Sequence, residues 1–352
     1  MAITLRSITD PATLGFDDII DVRSPAEFAR DHLPGAISLP VLDDAERARV
    51  GTQYVQVDSF TARKTGAAMV ARNAARHIDE VLIDRPGNWR ALVYCWRGGM
   101  RSNAFATILS QIGWRVEVLA GGYKAWRRLV VETLTTQDVA APVVLLDGNT
   151  GSAKTDLLAQ LRGLGLQVID LEGLARHRGS VFGHMGAQPA QAGFDTGLAL
   201  ELAALDPARP VVIEAESARI GGINLPARLW AAMKTAPRVA IRAPLPARAA
   251  YLARAYADVA ADPARLAGAI DRLRPLQPAT RIDAWHGLAQ AGAFEALASG
   301  LMEHHYDPRY ARQRAPLPRP VAEVTADDLS PAALPALAGR VADAVHALDL
   351  TR

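Results

Sequence analysis

Short apolar runs alternate with amphipathic, alanine-rich stretches along the first part of the chain. Residues 16–23 and 115–119 each predict a strand, and the run Ala91-Leu-Val-Tyr94 predicts a buried one. Helical patterns begin again at Asn103 and also fill the polar segment 43–80. Strands that alternate with helices favour a parallel sheet in an α/β domain.

The second part of the chain repeats this alternation and then becomes mostly helical. Buried strands are predicted at 143–147 and 210–217, with a further strand at 240–242. Residues 246–301 are alanine-rich with a helical pattern, and residues 320–352 predict one strand and a closing helix. The pattern therefore predicts a second α/β domain with a helical C-terminal part.

Length and composition agree with two domains that have apolar cores. At 352 residues the chain is long enough for about two domains, which we place at residues 1–137 and 138–352. Half of the residues are apolar, but no apolar run reaches the 18 residues that a membrane span needs. The first residues do not match a secretory signal, and a single cysteine excludes an internal disulfide. We therefore expect a cytoplasmic protein without membrane contact.

Cys95 is the single cysteine, and it stands in a reactive context. It directly follows the predicted strand that ends at Tyr94, and a helical pattern follows it. Gly98 and Gly99 lie in the turn, with Arg97 and Arg101 beside them. Unpaired N–H groups at a helix N-terminus and nearby cations both favour a thiolate. The sequence therefore predicts that Cys95 is a nucleophile and that the two arginines act with it.

A second candidate site follows the predicted strand at 143–147. The segment 148–155, Gly-Asn-Thr-Gly-Ser-Ala-Lys-Thr, leads into a helical pattern, which is the context of a phosphate-binding loop. We expect Lys154 to supply charge and Thr155 to be a candidate Mg²⁺ ligand. Ala153 stands where the pattern has glycine, and a positive φ there costs alanine about 1 kcal/mol. Phosphate binding is thus a firmer prediction than nucleotide turnover.

Polar residues at other predicted strand ends complete the candidate sites. A cationic, glycine-containing run follows the strand that ends at Asp170, and two carboxylates end the strand at 210–217. Near the C-terminus, aromatics are interleaved with arginines around a proline that predicts a turn, a composition suited to phosphate contacts and base stacking. The candidates are Gly148, Gly151, Ser152, Lys154 and Thr155 for phosphate, and His177, Arg178, Ser180, Glu214, Glu216, Arg309, Tyr310 and Arg312 for the substrate or RNA.

Four motifs in the first part of the chain together resemble a rhodanese domain over about residues 4–135. They are Asp21-Val-Arg-Ser-Pro-Ala-Glu-Phe28, His32-Leu-Pro-Gly-Ala36, the cysteine loop and Gly121-Gly-Tyr-Lys-Ala-Trp126. Five residues separate Cys95 from Arg101, whereas the usual sulfurtransferase loop has four. The longer loop makes a wider anion cradle at Gly98 and Gly99, with more inward N–H groups. Phosphatases share this loop length, but they carry a histidine where this chain has Tyr94.

Over its whole length the chain resembles the tRNA 2-selenouridine synthase family. The resemblance rests on Tyr94-Cys-Trp-Arg-Gly-Gly-Met-Arg-Ser102, Gly148-Asn-Thr-Gly-Ser-Ala-Lys-Thr155, His177-Arg-Gly-Ser-Val-Phe-Gly183, Ile213-Glu-Ala-Glu-Ser217 and His305-Tyr-Asp-Pro-Arg-Tyr310. It implies that wobble 2-thiouridine of tRNA is S-geranylated by geranyl diphosphate. Selenium from selenophosphate, carried on Cys95, then replaces the S-geranyl group. Apolar residues such as Phe182, Phe194 and Trp230 are candidates for the geranyl pocket.

The resemblance also implies the partners. These are tRNAs of the Lys, Glu and Gln type, recognised at the anticodon, and an enzyme that produces selenophosphate. From the residues we expect a monomer without a resident metal. If Mg²⁺ accompanies the co-substrate, its candidate ligands are Thr155, Glu214 and Glu216, and the two glutamates are alternatively candidates for orienting a polar substrate. Two alternatives stay open. One is a sulfurtransferase or phosphatase fused to a P-loop kinase-like domain. The other is an RNA-binding module without enzymatic activity.

Overall fold

The computed structural model describes residues 2–180, 182–183, 186–314 and 318–350, without the side chain of Gln313. The chain divides into two compact units, Met1–Thr136 with Pro189–Ala203 and Gln137–Gln188 with Ala204–Arg352. The segment Pro189–Ala203 therefore packs with the first unit, although it lies within the range that we predict for the second domain.

The strands are short and are distributed over both units. In chain order they are β1 (Ala2–Ile3), β2 (Asp18–Asp21), β3 (Ala36–Ser38), β4 (Arg90–Tyr94), β5 (Arg115–Leu119), β6 (Val143–Gly148), β7 (Gln167–Ile169), β8 (Val211–Glu214), β9 (Arg219–Ile220), β10 (Ile223–Asn224), β11 (Arg238–Arg242) and β12 (Ala322–Thr325).

The helices connect these strands and dominate the C-terminal part. They are α1 (Asp10–Thr13), α2 (Pro25–Arg30), α3 (Asp44–Gln56), α4 (Ser59–His77), α5 (Met100–Ile112), α6 (Gly122–Thr136), α7 (Lys154–Gly163), α8 (Leu171–Ala175), α9 (Gln191–Ala203), α10 (Ala227–Thr235), α11 (Leu245–Ala255), α12 (Ala257–Ala260), α13 (Pro263–Asp271), α14 (Ala279–Gln290), α15 (Phe294–Leu301), α16 (Asp307–Arg314) and α17 (Leu334–His346). Single π-helical turns follow α4 and precede α16. None of the described helices is long and apolar enough to cross a membrane.

The first unit contains the predicted parallel sheet, with strand order β1-β5-β4-β2-β3. In the centre, Val93 of β4 lies opposite Ile20 of β2 and Val118 of β5. Phe105 and Leu109 of α5 are fully buried in the apolar core, which also includes Val93. The apolar face of α5 thereby holds the loop between β4 and α5 at the carboxyl end of the central strand.

Helix starts in the first unit follow the capping signals in the sequence. Before α2, the N–H of Ser24 donates to Glu27 Oε2 at 3.2 Å, within a capping box. Before α3, the N–H of Glu46 donates to Asp43 Oδ1 at 2.7 Å, and the N–H of Asp43 donates back to Glu46 Oε2 at 3.1 Å. Both pairs satisfy N–H groups that the helix itself leaves unpaired.

Helix α9 is attached to the first unit through buried polar contacts. Thr196 Oγ1 donates to Asp31 Oδ2 at 3.0 Å, and the Tyr123 hydroxyl donates to the same oxygen at 2.8 Å. Arg127 of α6 also forms a salt bridge with Asp195. Burial raises the pKa of Asp31, although both hydroxyl donors favour its charged form. Because the Asp31 side chain is buried, its carboxylate oxygens need these hydroxyl donors in place of water.

The second unit contains a second parallel sheet, with strand order β12-β11-β6-β8-β7. Leu146 of β6 lies opposite Glu214 of β8. One side of the core includes Leu157 and Leu161 of α7 together with Val341 of α17. The predicted α/β domain with a helical C-terminal part is thus confirmed.

The helical C-terminal part has its own apolar core and contains one departure from the sequence prediction. Ile270, Ile282 and Trp285 are buried there together. Pro308, which we predicted to lie in a turn, instead lies in the first turn of α16. This helix begins directly after the π-helical turn Met302–Tyr306, whose hydrogen bonds already depart from the α-helical pattern where Pro308 supplies no N–H.

Candidate active site

Cys95 directly follows the central strand β4, and the polar groups around its sulfur come from the next helix turn. The side chain is only 4% exposed. The N–H of Gly99 donates to Sγ at 3.3 Å, and Ser102 Oγ lies 3.2 Å from Sγ. Ser102 Oγ also lies 3.1 Å from the Gly99 carbonyl oxygen, and its one proton can go to either acceptor. The N-terminus of α5 therefore offers the sulfur the Gly99 N–H as a fixed donor and the Ser102 hydroxyl as a rotatable one.

These donors control the acidity of the thiol. Burial by itself raises the pKa of Cys95, because a buried thiolate loses its hydration. The Ser102 hydroxyl and the N–H groups of Ser102, Arg97 and Gly99 outweigh that effect, so the pKa lies below its ordinary value. A thiolate is therefore favoured by hydrogen bonding within the loop, as a nucleophilic cysteine requires.

The two predicted arginines are placed differently. Arg101 Nη1 lies 3.0 Å from Glu27 Oε2, and Arg47 Nε lies 3.0 Å from the same oxygen. Burial raises the pKa of Glu27, but these two cations outweigh it and the net pKa is lowered. Arg97 is exposed. Glu27 therefore holds Arg101 in a defined orientation, while the Arg97 guanidinium is accessible to an incoming anion.

The Gly-Gly-Tyr-Lys motif supports the cysteine loop from the other side. The N–H of Tyr123 donates to the Cys95 carbonyl oxygen at 2.8 Å. At Gly122 the φ angle is +57°, and an added Cβ would lie 2.2 Å from that same oxygen. Only glycine fits at this position. The hydrogen bonds from Thr196 and Tyr123 to Asp31 thus continue, through Tyr123, to the backbone of Cys95.

The phosphate-binding loop in the second unit joins β6 to α7, as the sequence predicts. Lys154 Nζ donates to the Gly148 carbonyl oxygen at 3.1 Å. Gly151 has a φ of +82°, and an added Cβ would lie 2.9 Å from the Arg248 carbonyl oxygen. Ala153 has a φ of 59° and is buried, so the loop contains the alanine strain of about 1 kcal/mol that the sequence indicates.

Lys154 stays cationic among acidic neighbours. Burial lowers the pKa of Lys154, but the charges of Tyr310, Glu216 and Glu172 raise it above its ordinary value. Lys154 Nζ lies 5.9 Å from the centre of the Tyr310 ring. A fixed cation beside the N-terminus of α7 suits the binding of phosphate groups.

Glu172 and Glu216 form a carboxyl pair beside this lysine, and sequence reasoning did not select Glu172. Thr155 Oγ1 donates to Glu172 Oε2 at 3.2 Å. Burial, with the charge of Glu216 second, raises the pKa of Glu172 to about 8. Burial also raises the pKa of Glu216, against the charge of Lys154 and a hydrogen bond with Glu172. The pair therefore keeps a proton near neutral pH.

One cavity brings most of the predicted residues of the second unit together. It is lined by residues 150–156 of the phosphate loop and by Arg178, Ser180, Glu216, Arg309 and Tyr310. His177 and Glu214 are buried and do not line the cavity, and neither does Arg312, whose Nε donates to the Pro308 carbonyl oxygen.

Arg248 and Asp307 connect the C-terminal segment to the phosphate loop. Asp307 belongs to the motif His305–Tyr310, whereas no sequence motif indicated Arg248. Arg248 is buried, and its Nη1 donates to the Thr150 carbonyl oxygen at 3.1 Å. The same guanidinium binds both carboxylate oxygens of Asp307, at 3.0 and 2.8 Å. This bidentate pair fixes the start of α16 next to the loop.

A second, almost wholly apolar cavity adjoins the first. Thr150, Ser180, Leu252, Tyr256 and Tyr306 line both cavities. Further inside, the lining is apolar and includes Phe182, Val259, Leu266, Phe294, Leu297, Ala298, Leu301 and Met302. Of our three predicted candidates for the geranyl pocket, Phe182 lines this cavity, whereas Phe194 and Trp230 do not. Phe194 instead belongs to α9, which is part of the first unit.

The described residues contain no group of three or more His, Cys, Asp or Glu side chains that could hold a metal ion. The positively charged residues that line the cavity include Lys154, Arg178 and Arg309.

Two family models match the chain in adjacent ranges. The model of the rhodanese-like domain matches residues 6–129, and the model of the tRNA 2-selenouridine synthase AAA domain matches residues 141–270. The first range contains the cysteine loop and the second contains the phosphate loop.

Curated relatives match both ranges together. A tRNA 2-selenouridine synthase of Chromohalobacter salexigens is 35% identical over 84% of this chain and 87% of its own length. One from Bordetella bronchiseptica is 35% identical over 86% of this chain and 89% of its own length. Among solved structures, reduced Bacillus anthracis CoADR-RHD is 19% identical and has a TM-score of 0.25, over 37% of this chain and 17% of that one.

Replacing Ser102 by alanine should raise the pKa of the Cys95 thiol, because a hydroxyl that stabilises the thiolate is lost. The pH dependence of iodoacetamide labelling measures this directly, since the chain has one cysteine. The midpoint should move to higher pH. Ser110→Ala, on the same helix, is the control. An unchanged midpoint in Ser102→Ala would contradict the role of Ser102.

Diphosphate binding should weaken as pH rises through about 8, the pKa of Glu172. Below this pH the Glu172–Glu216 pair holds a proton; above it, one more negative charge faces the anion. Calorimetric titration with pyrophosphate from pH 6.5 to 9 measures the effect. Glu172→Gln stays neutral and should bind with a flatter profile. An equally steep loss in Glu172→Gln would assign the effect to another group.

Proposed function

The chain belongs to the tRNA 2-selenouridine synthase family, and we propose that its two sites divide the reaction into alkylation at the phosphate loop and selenium delivery at Cys95. Membership makes it an enzyme that transfers selenium and has tRNA as its substrate. The observation that carries the division of labour is the apolar cavity that opens beside the phosphate loop.

Geranyl diphosphate matches these two adjoining cavities in chemistry. Its diphosphate suits Lys154 and the N–H groups of the loop, and its ten-carbon chain suits the apolar lining beyond Tyr256. The thiocarbonyl sulfur of 2-thiouridine attacks the first carbon of the geranyl group. An S–C bond forms, a C–O bond breaks, and pyrophosphate leaves with the electron pair.

Alkylation prepares the sulfur to leave, and Cys95 then supplies selenium. In the proposed loading step, the Cys95 thiolate forms an Sγ–Se bond with selenophosphate and the Se–P electron pair stays on phosphorus, so phosphite is released. The terminal selenium attacks C2 of the uridine and geranyl thiol departs. An outside thiol then attacks Sγ, which breaks the Sγ–Se bond, leaves the selenium on the tRNA and forms a mixed disulfide with Cys95. A second outside thiol reduces this disulfide and restores the Cys95 thiol, because the chain has no second cysteine.

The substrate of this proposal is the wobble uridine of tRNAs of the Lys, Glu and Gln type. Arg309 and Tyr310 line the cavity at the phosphate loop, and we assign them, with the exposed Arg312, to contacts with the anticodon region. Arg97, Arg101, Gly98 and Gly99 are assigned to the selenophosphate anion. The selenophosphate-producing enzyme is the proposed supplier of that anion.

Cys95→Ser should abolish 2-selenouridine formation while S-geranyl-2-thiouridine still accumulates. Nucleoside mass spectrometry of tRNA incubated with enzyme, geranyl diphosphate, selenophosphate and a thiol measures both products. Phosphorus NMR should detect phosphite from the wild-type enzyme. Full selenation by Cys95→Ser, with phosphate as the only phosphorus product, would show that selenium attacks directly from selenophosphate. Loading from thiosulfate alone would favour the sulfurtransferase alternative.

Lys154→Ala should slow geranylation by roughly 100-fold, because a charge-assisted contact to the diphosphate is lost. Selenium loading of Cys95, measured by intact-protein mass spectrometry, should remain.

Ala298→Phe should fill the apolar cavity and reduce geranylation, while pyrophosphate still binds at the loop. Lys234→Ala, an exposed lysine on α10, is the matched control. If Lys154→Ala and Ala298→Phe both geranylate tRNA as fast as the wild-type enzyme, the prenyl diphosphate binds elsewhere.

A further inference from the structure

The helical hairpin formed by α3 and α4, residues 44–77, has an outer surface that neither site uses. Its inner face is anchored: Ala62, Met69 and Ala74 are buried. Asn73 Nδ2 donates to Glu46 Oε2 at 2.7 Å, which joins the two helices. The hairpin is therefore a fixed part of the first unit and presents its outer surface in a defined way.

The charge of this hairpin is unlike that of the chain as a whole. Residues 44–77 contain six Lys or Arg residues and three acidic residues, a net charge of +3, whereas the whole chain of 352 residues has a net charge of only +2. The basic residues are all exposed: Arg47, Arg49, Arg63, Lys64, Arg72 and Arg76. Among the described residues, only Arg47 of these six has a salt bridge, with Glu27. The other five cations are available to a polyanion.

Large apolar side chains are exposed at the turn of the hairpin, beside these cations. Tyr54 is 56% exposed and Phe60 is 63% exposed. Val55 and Val57 are more exposed still, at 84% and 67%. Lys64 Nζ lies 5.0 Å from the centre of the Phe60 ring. A cluster of exposed apolar groups in water indicates an interaction surface.

We propose that the α3–α4 hairpin binds the tRNA substrate, with Tyr54 and Phe60 stacking on unpaired bases and Arg49, Arg63, Lys64, Arg72 and Arg76 contacting phosphates. Aromatic rings interleaved with cations are the composition that binds single-stranded nucleic acid, because every base has a stacking face and every nucleotide a phosphate. The excess of three positive charges on this hairpin favours a polyanion over an uncharged protein surface. The inference rests on the proposed function, which makes tRNA the substrate.

Fluorescence anisotropy with labelled tRNA tests the proposal on the full chain. Arg63→Glu with Lys64→Glu should weaken binding at least about tenfold at low salt and reduce the dependence of affinity on salt. Tyr54→Ala with Phe60→Ala should weaken binding about tenfold with an unchanged salt dependence, because stacking rather than charge is lost. Lys234→Glu with Arg340→Glu changes the net charge by the same amount at exposed sites, and should stay within about threefold of wild type.

The outcomes separate this inference from the proposed function. If the wild-type chain binds tRNA and both hairpin variants bind it with unchanged affinity, the hairpin is not the binding surface, and the proposed function still stands. The same conclusion follows if the control variant loses as much affinity as the hairpin variants. Absence of tRNA binding by the wild-type chain overturns the proposed function together with the inference. Concentration-dependent dimers that dissociate in Tyr54→Ala with Phe60→Ala, at unchanged tRNA affinity, would assign the patch to a second copy. Selenium loading of Cys95 and the melting temperature serve as controls for folding.

Discussion

Both candidate sites depend on the unpaired backbone N–H groups that a helix presents where it begins after a parallel strand. After β4, the N–H groups of Gly99 and Ser102 stabilise a buried thiolate at Cys95. After β6, the N-terminus of α7 and Lys154 provide for phosphate groups. Burial opposes the anion in each case, so a charged group persists only because fixed donors replace its hydration.

Side chains beside these two strand-to-helix loops influence which anion each loop can bind. At Cys95, Gly122 lets the chain approach the cysteine carbonyl oxygen, and Glu27 orients Arg101. At the phosphate loop, the protonated pair Glu172–Glu216 reduces the negative charge that an incoming diphosphate meets. We propose that the adjoining apolar cavity holds the hydrocarbon chain of an ester whose diphosphate binds at the loop.

Local signals were readable where they involve few residues in succession. The capping pairs Ser24–Glu27 and Asp43–Glu46, the strand before Cys95 and the loop before α7 all follow from neighbouring residues. Pro308 shows the limit of such reasoning: a proline marks a turn or a first helical turn equally well. The apolar cavity could not be predicted from the sequence, because the residues that line it are as far apart in the chain as Thr150 and Tyr306.

The sequence by itself determined the two α/β domains, the place of Cys95 after a central strand, the strained Ala153 in the loop before α7, and the family resemblance that the relatives bear out. These properties reside in short segments whose chemistry depends on adjacent residues. Only the tertiary structure decided that α9 packs on the first unit, that Ser102 serves the thiol, and that Glu172 and Glu216 share a buried site. Burial and the distance between residues far apart in sequence exist only after folding, and these two quantities control pKa and access.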